Sequence, residues 1–411
     1  MLPAPRFDTP APKRYREGTA RTRSPAETLA LLRPLLARFG VTRLANVTGL
    51  DRLGIPVWQA VRPNARSLSV SQGKGLDRPS AQVSALMETL ESHHAEHARC
   101  AVRLESQRAL ARQGRVADPA RLPLSLSSSF HPDAPLPWTE ARDVSTGEPV
   151  FVPFELVHAN FTLPRVPGSG AFAPSTSGLG AGNHLAEAVL HGLCELVERD
   201  AETLWRLDGE EARAETRVAL DSVDCPGALA LLEHYRQAAI DVMAWDLTSD
   251  VGLACFGVYV FDPEADPDLN PCPAANGSGC HPDRGIALCR ALSEAAQSRL
   301  TAIAGSRDDH TAARYRVAQG AASLEHFRAL SRAPARRSFR AAPHFAADTI
   351  DADLEHVLVR LADRGMPQAL WVDLSSPDLG LAFVRTLVPG LEGSLESPSY
   401  RPRERAQARQ A

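Results

Sequence analysis

This sequence has no long apolar run and no closely paired cysteines, and it has few lysines. The first two absences each exclude a class of protein. No apolar run approaches the roughly 18 residues that a membrane-spanning helix needs. The first 23 residues lack the apolar core of a secretory signal. The seven cysteines are scattered, odd in number and never spaced C-x-x-C. This disfavours a disulfide framework or a zinc ribbon and predicts free thiols in a reducing cytoplasm.

Lysine occurs only twice, as Lys13 and Lys74, so arginine supplies nearly all of the positive charge. Lys74 lies between Gly73 and Gly75 in the segment SQGKG. Flanking glycines let the backbone approach a ligand and present its N–H groups, and a lysine adds a compact charge. The segment lacks the Walker A spacing. We nevertheless predict phosphate contact, because an acidic helix follows it closely.

Three segments with otherwise core-like sequences carry polar groups at helical spacing. The groups are Glu88 and Glu91 in SALMETLESHHAEH, Glu187, Glu195 and Glu198 in NHLAEAVLHGLCELVERD, and Arg290, Glu294 and Gln297 in ALCRALSEAAQSRL. At about 100° per residue, each set falls on one narrow helix face. A solvated face is the ordinary alternative, but such a face mixes its signs, and these acids have few basic neighbours. Carboxylates that converge from several helices require a cation, so the pattern indicates a metal–nucleotide site.

Other motifs are weaker. His93, His94 and His97 lack the H-E-x-x-H order and are interpreted as structural or surface histidines. There is no G-x-S-x-G nucleophile elbow, and the glycines at 178–182 do not give a dinucleotide fingerprint. The arginine-rich ends are interpreted as solvated tails, so nucleic-acid binding is not expected.

Periodicity and turn residues predict the order of the elements. The predicted helices cover 24–40, 79–113 and 286–304; the predicted strands cover 42–49, 56–62, 66–72, 239–246, 253–261 and 369–373; and the predicted loops include 173–183 and 263–285. A glycine-rich turn followed by a helix with two glutamates three apart occurs at 69–91 and again at 175–198. The repeat indicates either two similar structural units or a coincidence.

The sequence resembles the YcaO superfamily over roughly residues 20–395. The resemblance rests on SQGKG with SALMETLE, on STSGLGAGNHLAEAVLHGLCELVERDA, on ALCRALSEAAQSRLTAIAGSRDD and on VRTLVPGLEG, in that order. The segments ESHHAEH and TRLANVTGLDRLGIPVWQAVRP are similar to the branch associated with TfuA partner proteins. The resemblance implies an α/β (α+β) fold: the YcaO-type ATP-binding fold, with mixed or antiparallel sheets flanked by helices that carry paired glutamates.

The resemblance also implies residue roles and an organisation. The implied Mg²⁺ ligands are Glu88, Glu91, Glu187, Glu195 and Glu198. The implied ATP contacts are Arg21, Thr28, Ser71, Lys74, Asn183, Glu187, Arg199, Arg290 and Gln297. A flexible segment (1–23), a YcaO domain (24–395, with subdomains near 24–150 and 151–395) and an arginine-rich tail (396–411) are expected.

The implied activity is ATP-dependent phosphorylation of a peptide backbone amide oxygen in a ribosomally made peptide or protein. The expected product is a thioamide, formed in the cytoplasm with a TfuA-type partner and without a membrane; a homodimer is possible. The sequence ESPSYRPRERAQARQA lacks the proline-rich tail of many azoline-forming members, and Ser92 stands where many members have Arg. An azoline-forming cyclodehydratase stays as the first alternative, and a non-catalytic ATP-binding scaffold protein as the second.

Overall fold

The computed structural model describes residues 9–165, 167–266, 273–318 and 321–410. The strands are β1 (Arg43–Asn46), β2 (Val57–Val61), β3 (Val70–Lys74), β4 (Arg103–Glu105), β5 (Arg115–Val116), β6 (Leu136–Asp143), β7 (Pro149–Pro153), β8 (Leu179–Gly182), β9 (Val218–Ala219), β10 (Asp241–Asp246), β11 (Ala254–Phe261), β12 (Ala274–His281), β13 (Arg337–Ser338), β14 (Leu370–Asp373) and β15 (Ala382–Leu387). The helices are α1 (Pro25–Leu32), α2 (Arg78–Glu96), α3 (Gln107–Leu110), α4 (Leu185–Leu207), α5 (Glu210–Glu215), α6 (Pro226–Gln237), α7 (Arg284–Ala304), α8 (Ala312–Ala318), α9 (Ala321–Arg332), α10 (Ile350–Ala362) and α11 (Glu404–Gln410).

The strands form small antiparallel sheets and one larger mixed sheet. Strands β1-β2-β3 and β10-β11-β12 each form a three-stranded antiparallel sheet, and β9 pairs in parallel with β13. The larger sheet has the order β5-β7-β6-β14-β15-β8, with β4 added beside β6 and a parallel pair at β5 and β7. This arrangement confirms the predicted α/β (α+β) class of mixed and antiparallel sheets with flanking helices.

Three strand–helix units place the polar helices. Each consists of a strand followed by the helix that packs on it: β3 with α2, β8 with α4, and β12 with α7. A Cβ on Gly73 would lie 1.9 Å from the backbone nitrogen of Ala85, and one on Gly180 would lie 2.1 Å from the carbonyl oxygen of Ala188. Only glycine permits backbones to approach this closely. The repeated pattern at 69–91 and 175–198 therefore corresponds to two similar units, and α7 belongs to a third.

Strand pairing with distant residues overrides several predicted elements. The prediction of one helix over 79–113 is wrong beyond Glu96, because residues 103–105 pair with β6 and Ser106 caps a separate short helix. The predicted loops 173–183 and 263–285 contain β8 and β12, although residues 267–272 of the second loop lie outside the described residues. Glycine has low intrinsic strand propensity, so packing under α4 and α7 produces these strands.

The first predicted helix is correct at its start and too long at its end. Ser24 and Glu27 form a reciprocal capping box at the start of α1. The helix ends at Leu32, and a 3₁₀ turn that contains Pro34 leads to Gly40, which has a φ of +68°. Proline lacks the N–H that an α-helical turn would use.

Both terminal segments make specific contacts where the sequence indicated flexible or solvated tails. Within the described residues 9–23, Lys13 forms a fully enclosed ion pair with Asp353 of α10 at 2.5 Å. Near the other end, Arg405 binds Asp200 of α4 at 2.9 Å. The suggested division near residue 150 falls within β7, and it stays a prediction.

Hydrophobic packing surrounds α4, whose buried side includes Val189, Leu193 and Val197. One core lies between α4, α10 and the β10–β12 sheet, a second joins α1 and α2 to the large sheet, and a third packs α6 and α7 on β10–β12. In the described part of the chain, no helix combines the length and apolarity that crossing a bilayer requires.

Candidate functional site

The second half of α4 presents two glutamates toward the neighbouring units. Glu198 is 2% exposed and accepts hydrogen bonds from the Ser278 hydroxyl and the Cys280 backbone N–H, both at 2.9 Å. Glu195, one turn earlier, accepts a bond of 3.1 Å from the backbone N–H of Gly178. Strand β12 and the turn before β8 thus orient these two carboxylates. Two further acids of the cleft, Glu88 and Glu91, come from α2.

Three carboxylates converge here, and their pKa values are raised by mutual repulsion and by the surrounding protein atoms. Crowding by protein atoms raises the pKa of Glu88 to about 7, although its side chain still reaches solvent. Burial raises the pKa of Glu91 well above its usual range, and the charges of Glu195 and Glu88 raise it further. Burial also raises the pKa of Glu195, against the opposing charge of Arg199. These acidic side chains repel one another and remain accessible to solvent, so together they define a cleft that favours a bound cation.

Arginine side chains with unused donors face the same cleft. Arg385 of β15 is 1% exposed, and its Nε and one terminal nitrogen have no hydrogen-bond partner. Burial lowers its pKa to about 10, against the attraction of Glu195 and Glu91. Arg290 of α7 contacts His191 at 3.2 Å, while its buried Nε has no partner. Buried donors of this kind are costly unless an acceptor binds them, so an anionic ligand is expected beside the cation.

Lys74, the lysine singled out in the sequence, forms a 2.5 Å ion pair with Glu294 of α7. This pair joins the end of β3 to the face of α7 that also carries Arg290. Lys74 and Arg307 both oppose the rise in the pKa of Glu88. The predicted grouping of the glycine–lysine loop with the acidic helices is therefore present in the fold.

The predicted residues of the N-terminal region form a second cluster at the first turn of α4. Glu187 accepts hydrogen bonds from the backbone N–H and the hydroxyl of Thr22 and from the N–H of Asn183 at 3.0 Å. Thr28 donates to the side-chain oxygen of Asn183 at 2.9 Å. Burial lowers the pKa of Arg21, although the nearby Glu187 opposes this shift.

The helix rise separates Glu187 from the other predicted metal ligands. At 1.5 Å per residue, Glu187 lies about 12 Å from Glu195 and about 16 Å from Glu198 along the axis of α4. One ion cannot bind all three, so the structure divides the predicted ligand set between two ends of the site. The assignment of individual ligands stays a prediction.

The other predicted contacts, Ser71, Gln297 and Arg199, come from β3, α7 and α4. Ser71 is a buried residue of β3. Its neighbour Gln72 accepts a bond from Thr301, and its amide nitrogen has no partner. Gln297 lies one turn before Thr301 on α7, and its carbonyl accepts from the Thr301 hydroxyl at 2.7 Å. Arg199 is 3.4 Å from Glu198 and 3.8 Å from Glu195.

The histidines of α2 are structural. The His94 ring stacks on Phe383 at 4.0 Å and its Nδ1 contacts the Leu90 carbonyl at 2.7 Å. Burial lowers the pKa of His93 to about 4, and this ring stacks on His97 at 4.4 Å. Among the described residues, no three His, Cys, Asp or Glu side chains already surround a point at which a metal could bind.

Arg385 is the site residue that the sequence reasoning missed. It lies in the segment VRTLVPGLEG, which carries part of the family resemblance but no predicted site residue. The available signal was an arginine within Ala382–Leu387, a strand whose six residues are all buried. A charged residue in such a strand indicates a buried partner or ligand.

Comparison with known proteins decides the family. Residues 72–392 match the family model described as YcaO cyclodehydratase, ATP- and Mg²⁺-binding. The chain belongs to the YcaO family. A Rhizobium leguminosarum bv. trifolii relative, named as an uncharacterized protein in the tfuA 3′ region, is 38% identical over 90% of this chain and 88% of its own length. A Methanothermobacter thermautotrophicus protein is 34% identical over 90% of this chain and 94% of its own.

Solved structures confirm the YcaO fold. A YcaO protein from Methanopyrus kandleri, bound with AMPPCP and Mg²⁺, has a TM-score of 0.71 and 24% identity over 96% of this chain and 98% of its own. A heterocyclase in complex with substrate and cofactor has a TM-score of 0.76 and 20% identity over 95% of this chain. The present chain spans about half (54%) of that heterocyclase. The predicted family and its cofactors, ATP and Mg²⁺, are confirmed.

The residues of this cleft fit a nucleotide with a divalent cation. Glu88, Glu91 and Glu195 supply hard oxygen ligands whose mutual repulsion a cation would relieve. The unpartnered donors of Arg290 and Arg385 suit phosphate oxygens. Magnesium completes its shell with phosphate oxygens and water, so a preformed cage of three protein ligands is not required.

Proposed function

We propose that this YcaO protein activates a peptide backbone amide by ATP-dependent phosphorylation of the amide oxygen. Together with a TfuA-type partner, it would convert that amide in a ribosomally made peptide or protein to a thioamide. A cytoplasmic location and the possible homodimer belong to the same proposal, and nucleic acid has no part in it.

The proposal is carried by the cleft of Glu88, Glu91 and Glu195, where two nitrogens of the Arg385 guanidinium have no hydrogen-bond partner. Bound magnesium and ATP would supply the phosphoryl group and the charge that offsets it. The carboxylates would hold the cation, and Arg385 with Arg290 would orient the anionic groups. Phosphoryl transfer depends mainly on such positioning and charge neutralisation, so these residues suit the chemistry.

A relative's gene context supports the thioamide over the azoline. The 38% identical Rhizobium protein is named for its place in the tfuA 3′ region, which favours a TfuA-type partner for this chain. The azoline alternative keeps support from the family description, which names a cyclodehydratase, and from the similarity to a heterocyclase fold. Both reactions would use the same cleft, so only the product separates them.

Co-expression with the TfuA-type partner and a candidate peptide tests the proposal by product mass. A thioamide gains the mass difference between one sulfur and one oxygen, whereas an azoline loses one water. Tandem fragmentation of the product should locate the change on one backbone amide. Omission of the partner, and replacement of the chain by its Glu195→Gln variant, provide the controls, and both should leave the peptide unmodified.

The same assay addresses the scaffold alternative. ATP cleavage that requires the peptide supports an enzyme. Retained nucleotide binding without peptide-dependent cleavage, in the presence of partner and substrate, would instead support a non-catalytic scaffold.

A further inference from the structure

Two thiols face each other outside the carboxylate cleft, where α6 meets α7. Cys225 immediately precedes α6 and is partly exposed, whereas Cys289 lies within α7 and is 3% exposed. A hydrogen bond between the two thiols shifts the pKa of each, and Sγ of Cys225 also contacts the Gly285 carbonyl of α7 at 3.9 Å. Neither belongs to the nucleotide cleft, and the proposed reaction uses neither of them.

Two glycines make the space in which the sulfur atoms meet. A Cβ on Gly227 would lie 3.0 Å from Sγ of Cys289, and a Cβ on Gly285 would lie 3.3 Å from Sγ of Cys225. Any larger residue at either position would press on a sulfur atom. Each sulfur atom therefore sits against the backbone of the opposite helix, which holds the pair face to face.

The surroundings distinguish the two thiols. The hydrogen bond with Cys289 and the N–H of Ala228 lower the pKa of Cys225, against burial and the charges of Asp283 and Asp224. The same hydrogen bond and deeper burial raise the pKa of Cys289. The more exposed thiol with the greater thiolate character is the one that reacts first with an oxidant.

We propose that Cys225 and Cys289 are a redox-active dithiol that a hydroperoxide converts to an intramolecular disulfide. The Cys225 thiolate attacks a peroxide oxygen, the O–O bond breaks, and Cys225 becomes a sulfenic acid as water or an alcohol leaves. The sulfur of Cys289 then attacks the sulfur of Cys225, the S–O bond breaks, and water leaves with the proton of Cys289. Two thiols lose two electrons in total, and the peroxide gains them.

A second cysteine pair in the same chain provides an internal comparison. Cys255 of β11 lies opposite Cys280 of β12 in the antiparallel register, and both are 0% exposed. Their thiols also lie within hydrogen-bonding reach. Proximity is thus shared by the two pairs, whereas access to an oxidant belongs to Cys225 alone, so only its pair should respond to brief peroxide treatment.

Peptide mapping of the reduced full-length chain after brief hydrogen peroxide treatment tests the proposal. Trypsin cleaves after Arg217, Arg236, Arg284 and Arg290, so it releases Cys225 in peptide 218–236 and Cys289 in peptide 285–290. We expect a linked ion with the summed mass of these peptides less two hydrogens, which dithiothreitol removes. Both cysteines should lose reactivity toward iodoacetamide in parallel.

Three variants separate the roles of the thiols. Cys225→Ser keeps a residue suited to a helix N-terminus and should abolish both the linkage and the oxidation of Cys289. Cys289→Ala should stop the reaction at the sulfenic acid, which dimedone traps on peptide 218–236. Cys255→Ser, the matched control, should link Cys225 to Cys289 as the unmodified chain does.

Two results would overturn the proposal. One is full alkylation of both peptides in the unmodified chain after peroxide. The other is a disulfide within peptide 237–284, which contains Cys255, Cys272 and Cys280, in place of the expected linkage.

Discussion

The first turn and the middle of α4 present the same acidic side chain in opposite surroundings. At the first turn, Glu187 accepts hydrogen bonds from Thr22 and Asn183, so its oxygens are already occupied by the chain's own donors. Two turns later, Glu195 faces the charge of Glu198 and repels Glu91. The first arrangement fastens the N-terminal segment to the fold. The second leaves carboxylates in mutual repulsion that Arg199 and Arg385 offset only in part, and an added cation would relieve it.

Among the substitutions that test this comparison, the replacement of Glu195 by glutamine should change the activity most. Glu195→Gln removes a predicted cation ligand and should lower Mg²⁺-dependent ATP turnover at least about 100-fold. The melting temperature should stay equal or rise, because the substitution relieves repulsion with Glu91. Coupled ATPase assays and thermal unfolding measure the two effects. The exposed Glu211→Gln of α5 serves as the matched control. An active Glu195→Gln variant with unchanged Mg²⁺ dependence would remove Glu195 from the site.

Arg385 tests whether the cleft also receives an anion. Arg385→Gln removes a buried guanidinium with two unpartnered nitrogens and should weaken binding of a non-hydrolysable ATP analogue with Mg²⁺ about 10- to 100-fold. Arg385→Lys keeps the charge but loses the fork of donors, so it should recover only part of the affinity. Titration calorimetry measures both variants. Equal affinity in all three proteins would assign Arg385 a purely structural role.

The pH dependence of the stability of the fold should reveal the raised pKa values of these carboxylates. The pKa of Glu88 is raised from 4.5 to about 7 in the folded chain, so the folded state binds this proton more tightly than the unfolded state. Its contribution is complete below pH 4.5 and is lost as the pH rises through about 7. The raised pKa values of Glu91 and Glu195 act in the same direction.

Thermal unfolding across this pH range, without metal or nucleotide, provides the measurement. The melting temperature of the unmodified chain should fall with rising pH relative to that of Glu88→Gln, which keeps the shape of the side chain but cannot titrate. Added Mg²⁺ with the ATP analogue should abolish the difference. Parallel curves for the two proteins in the absence of ligands would contradict the raised pKa of Glu88.

The smallest expected effect is on stability, and it concerns the hydrogen bonds between the N-terminal segment and the first turn of α4. Thr22→Val removes the hydroxyl that donates to Glu187 and should lower the free energy of unfolding by about 1–2 kcal/mol. Thr22→Ser retains the hydroxyl and should stay close to the unmodified chain. Urea unfolding gives the free energies, and proteolysis after Arg14 or Arg16 should accelerate in the valine variant. Identical unfolding curves for both variants would mean that Glu187 does not fasten this segment.

Local sequence rules predicted the parts of the fold that depend on nearby residues. The start of α1 at Ser24 and the phase of the acids on α2 and α4 follow from spacings of a few residues. The same spacing made Glu187, Glu195 and Glu198 look like one ligand set, because the angle around a helix ignores the distance along its axis. The rise of the helix then separated Glu187 from the other two.

What the sequence by itself determined is therefore the set of polar helices, their order and their resemblance to the YcaO family. Tertiary structure alone decided that glycine-rich segments become β8 and β12, that the segment after Glu96 becomes an edge strand, and that Arg385 faces Glu91 and Glu195. The physical reason is the same in each case. These features depend on contacts between parts of the chain that are distant in sequence, and their free energy comes from packing and charge that local propensity does not contain.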